Sequence, residues 1–400
     1  MNYRSVLLTI VAAIVITPLG ALAADKDRPK IGLVLGGGGA RGAAHIGVLK
    51  ELERMRIPID AIAGTSMGAI VGGLYATGMS ANELEELVAS LDWSDALSDT
   101  TDREDLSFRR KQDDYQYPIG FEVGYRDEKL LLPQGVIQGQ KLDLLLRELT
   151  IDTSHIKDFD LLPIPFRAVA SDIERGEPYV MAGGDLATSI RASMSVPAAF
   201  APVRLRGRLL VDGGIVGNLP VDVMRSMGVD IVIAVDVEFP LYEADELDSA
   251  LTISEQILTI LIRKETLRQI DTLGENDVLL RPDIGVFAST NFAEITDVIE
   301  PGAASVRDRS QSLEKLSLTA PDYDEYLAGR VPRPMIDESL AFVRVVHDGR
   351  LSPSVLESRL SMKAGDPIDT DLLARDAGRL YGLGLYEKVS YKIVELSLIH

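Results

Sequence analysis

The chain has no cysteine among its 400 residues. Disulfide support, thiolate nucleophiles and cysteine metal ligands are excluded together. Histidine is nearly as scarce: His45, His155, His347 and His400 are the only four. No two of them have the spacing of a metal pair, so no zinc centre or other metal site is expected. Positive charge is short as well. There are 41 Lys and Arg against 61 Asp and Glu, a formal net charge of -20. A nucleic-acid partner requires a basic footprint that this balance does not supply. It also speaks against wholesale electrostatic adhesion to anionic lipid, leaving room only for a local basic patch. Beyond the N-terminal segment, no apolar run is long enough to cross a membrane as a helix.

What is present begins with a processing signal. MNYR carries Arg4, an apolar run follows from Ser5 to about Leu19, and Ala21-Leu22-Ala23 precedes the charged DKDR. This is the pattern of a secretory signal peptide over residues 1–23. It implies export, to a periplasmic, outer-membrane associated or secreted location.

The rest is an ordinary globular composition, 46% hydrophobic and 26% charged, with material for a large core. KIGLVL reads as a buried strand, AAHIGVLKELERM as a helix with Ile46, Leu49 and Leu52 on one face, and IPIDAIAG as a second strand. AIVGGLYATGM suits a helix packed closely on a sheet, and Ser80 with Glu83 has capping-box spacing. IPFRAVASDI and VDIVIAVDV are further strands, VRLRGRLLVDGG gives two short ones around Gly207, and helices are expected near 251–273 and 303–316. Strands alternating with helices give an α/β fold with a mostly parallel sheet over residues 30–320. Pro321, Pro332 and Pro334 mark a linker over 321–334. The remainder, 335–400, has the order β-α-α-β, with FVRVV and YEKVSYKIVE as its strands.

Three elements of the larger unit carry chemistry. Gly36 to Gly42 lies between a strand and a helix, where bare backbone N–H groups stabilise negative charge. Gly37-x-Gly39-x-x-Gly42 also fits a dinucleotide fingerprint, but the second strand ends in Gly64-Thr65-Ser66 rather than in the carboxylate that reading needs. The Walker lysine is missing too, and no cofactor is expected. The second element is Ser66 in G-T-S-M-G, at a strand-to-helix turn that exposes a nucleophile and lets the Met67 N–H join an oxyanion site. The third is a base to take the serine proton. No histidine has a supporting motif, and His45 reads as a packed helix residue. Asp212 ends a strand in Asp-Gly-Gly, so Ser66 and Asp212 are expected to form a dyad. A plain turn aspartate is the other reading of Asp212.

G-G-G-x-R-G from Gly37 to Gly42 with Arg41, G-T-S-M-G from Gly64 to Gly68, and D-G-G with Gly213 and Gly214 resemble, in order and spacing, the three motifs of the patatin-like phospholipases. ASMSVPAAFAPV and NLPV agree with it. The resemblance runs from about Lys30 to Leu316. It implies a three-layer α/β/α sandwich and a serine acyl hydrolase of phospholipase A or lysophospholipase type. Ser66 would attack a fatty-acyl ester, Asp212 would move the protons, and N–H groups of Gly37, Gly38, Gly39 and Met67 would hold the oxyanion. Its partners would be an acyl-ester lipid and a membrane surface. From about Val331 to Glu395 the chain resembles a POTRA domain, through VRVVHDGRLSPSVLESRL, KAGDPID and LARDAGRLYGLGLYEKVSYKIVE. Only LSLIH follows, where that family has a further strand, so an incomplete module is expected. It implies outer-membrane barrel or assembly proteins as partners. The alternative function is a catalytically silent module that binds or translocates at the outer membrane.

Overall fold

The computed structural model describes residues 28–100, 135–237, 240–331, 339–347 and 351–393, with a few short pieces between them, including 124–126 and 129–131. Residues 1–27, which include the segment expected to be a signal peptide, and most of residues 101–134 lie outside the described residues. The strands are β1 (Ile31–Leu35), β2 (Ala61–Thr65), β3 (Gly124–Arg126), β4 (Lys129–Leu131), β5 (Phe166–Asp172), β6 (Glu177–Met181), β7 (Val203–Leu205), β8 (Arg208–Asp212), β9 (Ile231–Val235) and β10 (Val278–Leu280). One eight-stranded sheet has the order β10-β9-β1-β2-β5-β8-β7, with β6 also on β5, while β3 and β4 form a separate hairpin. The run from β10 to β5 is parallel; β6, β7 and β8 are antiparallel additions.

Alternation along the buried strands divides two apolar layers. Leu33, Leu35, Ile62, Ala168, Ala170, Ile233 and Val235 join the larger core, with α1 (Ala44–Arg54) and α2 (Met67–Ala76). Val34, Ala61, Ala63, Val232 and Ala234 face the other way, onto Leu219 and onto Val221 and Met224 of the helix at Val221–Ser226. Helices therefore cover both faces, as a parallel sheet requires. The Ser80–Glu83 capping box forms as expected at the head of α3 (Ala81–Ser90).

Register brings two distant strand ends together. β5 pairs with β6 along Ala168 to Asp172, which occupies one of its edges. The other edge takes β2 as far as Thr65 opposite Val169, then β8, arriving head-on, with Asp212 opposite Ala170. Both chains must leave the sheet at this junction, one at Ser66 and the other at Gly213.

Two expectations need correction. Of the expected linker 321–334, residues 332–334 lie outside the described residues, and the part before them is not an open linker: Ala320–Gly329 is a helix capped by Thr319, with Pro321 in its first turn, where a missing N–H costs nothing. Tyr326 exchanges hydrogen bonds with the Ile59 backbone at 2.9 and 3.0 Å, and the Arg330 guanidinium lies 4.1 Å from the Tyr75 ring centre. Beyond it, the helices Pro353–Glu357 and Thr370–Tyr381 form, but FVRVV and the described part of YEKVSYKIVE are not strands. A strand needs a partner for its backbone. Val389 instead donates to the Gln140 side chain at 2.9 Å, and Lys388 and Ser390 bind the buried Asp143 carboxylate at 2.6 and 2.8 Å.

Candidate active site

The glycine loop leaves β1 and at once enters a short helical turn, Gly39–Ala43, with Gly38 at its head and no side-chain cap. Gly39 has φ +55°, and a Cβ there would sit 2.3 Å from the Ser289 carbonyl oxygen. Gly42 is equally constrained, since a Cβ would meet Met67 Cγ at 2.5 Å. Arg41 is buried and donates to three carbonyls, Val237 at 3.0 Å, Gly285 at 3.0 Å and Phe287 at 2.6 Å, fastening the loop to the chain that overlies it. His45 is fully buried in α1, and its Nε2–H donates to the Gly36 carbonyl at 2.7 Å. Burial lowers its pKa to about 4, so it stays neutral and serves the loop as a strut. The expected role of a packed helix residue is the one observed.

Ser66 follows β2 with φ 54° and ψ -122°, a backbone conformation costing a non-glycine residue about 1–3 kcal/mol. Its glycine neighbours make this turn possible. A Cβ on Gly64 would lie 2.3 Å from the Gly68 carbonyl oxygen, and one on Gly68 would lie 2.2 Å from the Leu35 carbonyl oxygen. The strained turn is held from below: the Ser66 N–H donates to Ser193 Oγ at 2.9 Å, and Ser193 Oγ donates to the Val169 carbonyl at 2.5 Å. The Ser66 side chain does not cap α2, although it stands at the N-cap position. Its hydroxyl is left to the site.

Asp212 stands across the junction. Its Oδ1 accepts the Gly214 N–H at 2.7 Å, while Oδ2 is buried with no partner in full hydrogen-bond geometry. The Ser66 hydroxyl interacts with the carboxylate and, with Gly214, favours its charged form, but burial outweighs both and raises the pKa to about 6. Gly213 permits the approach, since a Cβ on it would lie 2.2 Å from the Val169 carbonyl oxygen. The Asp212 backbone is tied by its N–H to the Ser195 carbonyl at 2.8 Å and by its carbonyl to Ser171 Oγ at 2.7 Å.

The loop and the serine meet as expected. A Cβ on Gly37 would lie 3.1 Å from Ser66 Cβ. The Gly37 N–H, however, donates to the Asn218 carbonyl at 3.3 Å and is turned away from the serine's reach. Gly38 and Gly39 stand at the head of one turn and Met67 at the head of α2, where backbone N–H groups have no carbonyl partner within their own helix. Among the described residues there is no cluster of acidic or histidine side chains that could hold a metal ion. Sequence reasoning assigned nothing to Ser193, Ser195, Ser171 or Asn218. ASMSVP and NLPV were the available signals, but a supporting hydroxyl leaves no spacing of its own.

A cavity of about 490 Å³ opens beside this site, along the helix Ala250–Ile270, lined by Val169, Pro178, Ile215, Val216, Pro220 and Leu261 among others. Neither Ser66 nor Asp212 lines it, but Val169 at its wall is the strand partner of Thr65.

Residues 33–225 match the family model described as patatin-like phospholipase. A patatin-like phospholipase domain-containing protein of Caenorhabditis elegans is 32% identical over 307 residues, which is 71% of this chain and 21% of that protein. A lysophospholipase of Mycosarcoma maydis is 37% identical over 208 residues, 52% of this chain and 10% of that one. The chain thus spans a minor part of these curated relatives. The crystal structure of VipD from Legionella pneumophila superposes with a TM-score of 0.40 at 17% identity, covering 72% of this chain and 67% of its own.

Proposed function

Because residues 33–225 carry a patatin-like phospholipase domain, we propose that this protein is a serine acyl hydrolase of membrane lipids, of phospholipase A or lysophospholipase type, working through a Ser66–Asp212 dyad. The observation that carries the reading is the junction itself. A strained serine, uncommitted to helix capping, faces a buried carboxylate whose pKa is raised to about 6. A base with that pKa is ionised at neutral pH and still basic enough to accept a serine proton in the transition state.

Asp212 takes the hydroxyl proton as Ser66 Oγ attacks the ester carbonyl. The carbonyl oxygen becomes an oxyanion, held by the N–H groups of Gly38, Gly39 and Met67. Collapse of the tetrahedral intermediate breaks the ester C–O bond, and Asp212 returns its proton to the leaving alcohol. Water, deprotonated by Asp212, then attacks the acyl-enzyme carbonyl; the bond from that carbon to Ser66 Oγ breaks, Asp212 returns its proton to Ser66, and the fatty acid leaves. The proton balance closes over the two half-reactions without a cofactor.

Residues 1–23 fit a signal peptide, and export is proposed with the lipid assignment. Residues 335–400 are proposed as a POTRA-like module contacting outer-membrane barrel or assembly proteins. The test of the hydrolase reading is fatty-acid release from mixed phospholipid vesicles. Loss of release in both Ser66→Ala and Asp212→Asn supports the dyad. A folded parent chain that releases nothing would favour the silent binding module.

A further inference from the structure

The helix Ala250–Ile270 is unusual in what it leaves outside. Ile253, Ile257, Ile260, Leu261 and Leu267 are between 46% and 55% exposed. At 100° per residue these positions fall on one side of the helix, and Lys264 and Arg268, also exposed, fall among them. The opposite side packs on the catalytic turn. Ile262 Cδ1 lies 3.6 Å from where a Gly214 Cβ would be, Asn218 donates to Thr266 Oγ1 at 3.3 Å, and the Asp222 N–H donates to Gln269 at 3.1 Å. The cavity of about 490 Å³ runs along the flank of the helix, from Leu261, Lys264 and Arg268 at the edge of this face to Val169, Ile215 and Pro220 on the other wall. Leu241 and Tyr242, 43% and 40% exposed, continue the apolar surface, because the Tyr242 N–H donates to Gln256 at 3.0 Å.

We propose that the outward face of Ala250–Ile270 is the surface by which the protein seats on a phospholipid bilayer, delivering the acyl chain toward the cavity at its flank. This rests in part on the lipid-hydrolase reading. Large apolar side chains interleaved with Lys264 fit the headgroup boundary: the alkyl groups enter between lipids while Lys264 reaches phosphate, the Arg268 guanidinium being already paired with Glu265 at 2.8 and 2.5 Å. A second copy of the chain fits poorly. Two chains of net charge -20 repel each other, and a two-fold pairing of this face would set its cations against themselves. The approach to the helix carries Glu243, Asp245, Glu246 and Asp248. Apolar insertion rather than net attraction therefore dominates, and anionic lipid adds little.

The experiment is co-sedimentation of the full chain, in a Ser66→Ala background so that no lipid is consumed, with phosphatidylcholine vesicles and with phosphatidylcholine–phosphatidylglycerol vesicles. The expected result is binding to both. Adding Ile253→Ser, Ile257→Ser and Ile260→Ser lowers partitioning at least about tenfold. Val286→Ser, at a residue 95% exposed elsewhere, leaves it unchanged. With Ser66 restored, the triple variant keeps hydrolysis of a soluble short-chain ester. Unchanged partitioning of the triple variant, or no vesicle binding by its parent, overturns the inference. So does a dimer, seen by light scattering, that the triple variant dissociates. If the parent hydrolyses no ester but still loses vesicle binding with the triple substitution, the hydrolase reading fails and the surface assignment stands.

Discussion

Asp212 and His45 make the residue scale testable through pH. The base acts only when ionised, so kcat/KM for a soluble ester is expected to rise from pH 5 to 7 with a midpoint near the Asp212 pKa of about 6, then level off. A profile flat across that range would remove Asp212 from the role. The same pKa is a stability statement. Raised in the fold, Asp212 holds its proton more tightly folded than unfolded, so its contribution falls as pH rises between about 4 and 6. Asp212→Asn should therefore stabilise the protein by up to about 3 kcal/mol at pH 8 and by little at pH 4, read as Tm against pH. His45 has the opposite sign. Its pKa, lowered to about 4, makes stability fall as pH drops from 6.5 toward 4. The two slopes oppose each other across the overlap, so His45→Gln should remove the part of the acid-side fall that His45 supplies. At this scale the sequence was most informative. Ser66, Asp212 and the glycines were legible because each sits where only a few residue types fit. Ser193 and Ser195 were not, since a buried hydroxyl that holds a backbone looks like any other serine in sequence.

At the scale of the element, the elbow is a strained turn braced by a neighbouring helix. Ser193→Ala removes the acceptor of the Ser66 N–H and leaves the serine's side chain untouched. It is expected to lower kcat about tenfold to a hundredfold while KM stays near its parent value, measured on a soluble ester. Equal loss in an unfolded fraction would show in the thermal melt. Gly64→Ala is harsher, because its Cβ would collide with the Gly68 carbonyl in a backbone–backbone contact; a loss of more than about 3 kcal/mol in denaturant unfolding is expected. The strongly periodic elements were readable from the chain: β1, α1, α2, α3, β9 and the helix at Ala250–Ile270 all fall near their expected places. β6 and β10 were not. β6 exposes most of its residues and β10 has only three, so neither has an alternation long enough to read. The reverse error occurred at FVRVV and YEKVSYKIVE. Alternation marks residues that could lie in a sheet, but a sheet also needs a second strand in place, and the described residues there offer hydrogen bonds to Gln140 and Asp143 instead.

For the whole molecule, the sheet acts as the ruler that brings residues 66 and 212 together. They meet because β2 and β8 share one edge of β5 and end against each other. Pattern reading gave the parallel core but not this head-on junction, since strand order and edge sharing are non-local and leave no periodic trace. The C-terminal piece is fastened near by. Its Lys388 and Ser390 sit on Asp143, which is also paired with Arg147 at 2.9 Å. Gln140→Ala with Lys388→Ala is expected to release this segment, read as faster proteolytic cleavage after residue 381 with little change in the melt of the main domain.

The most direct measurement of the central claim is fatty-acid release from mixed phospholipid vesicles by the protein, beside folded Ser66→Ala and Asp212→Asn. The account predicts release by the parent and a loss of at least about a thousandfold in each variant. Release retained by Asp212→Asn at neutral pH would contradict it, because the proton of Ser66 would then have another destination.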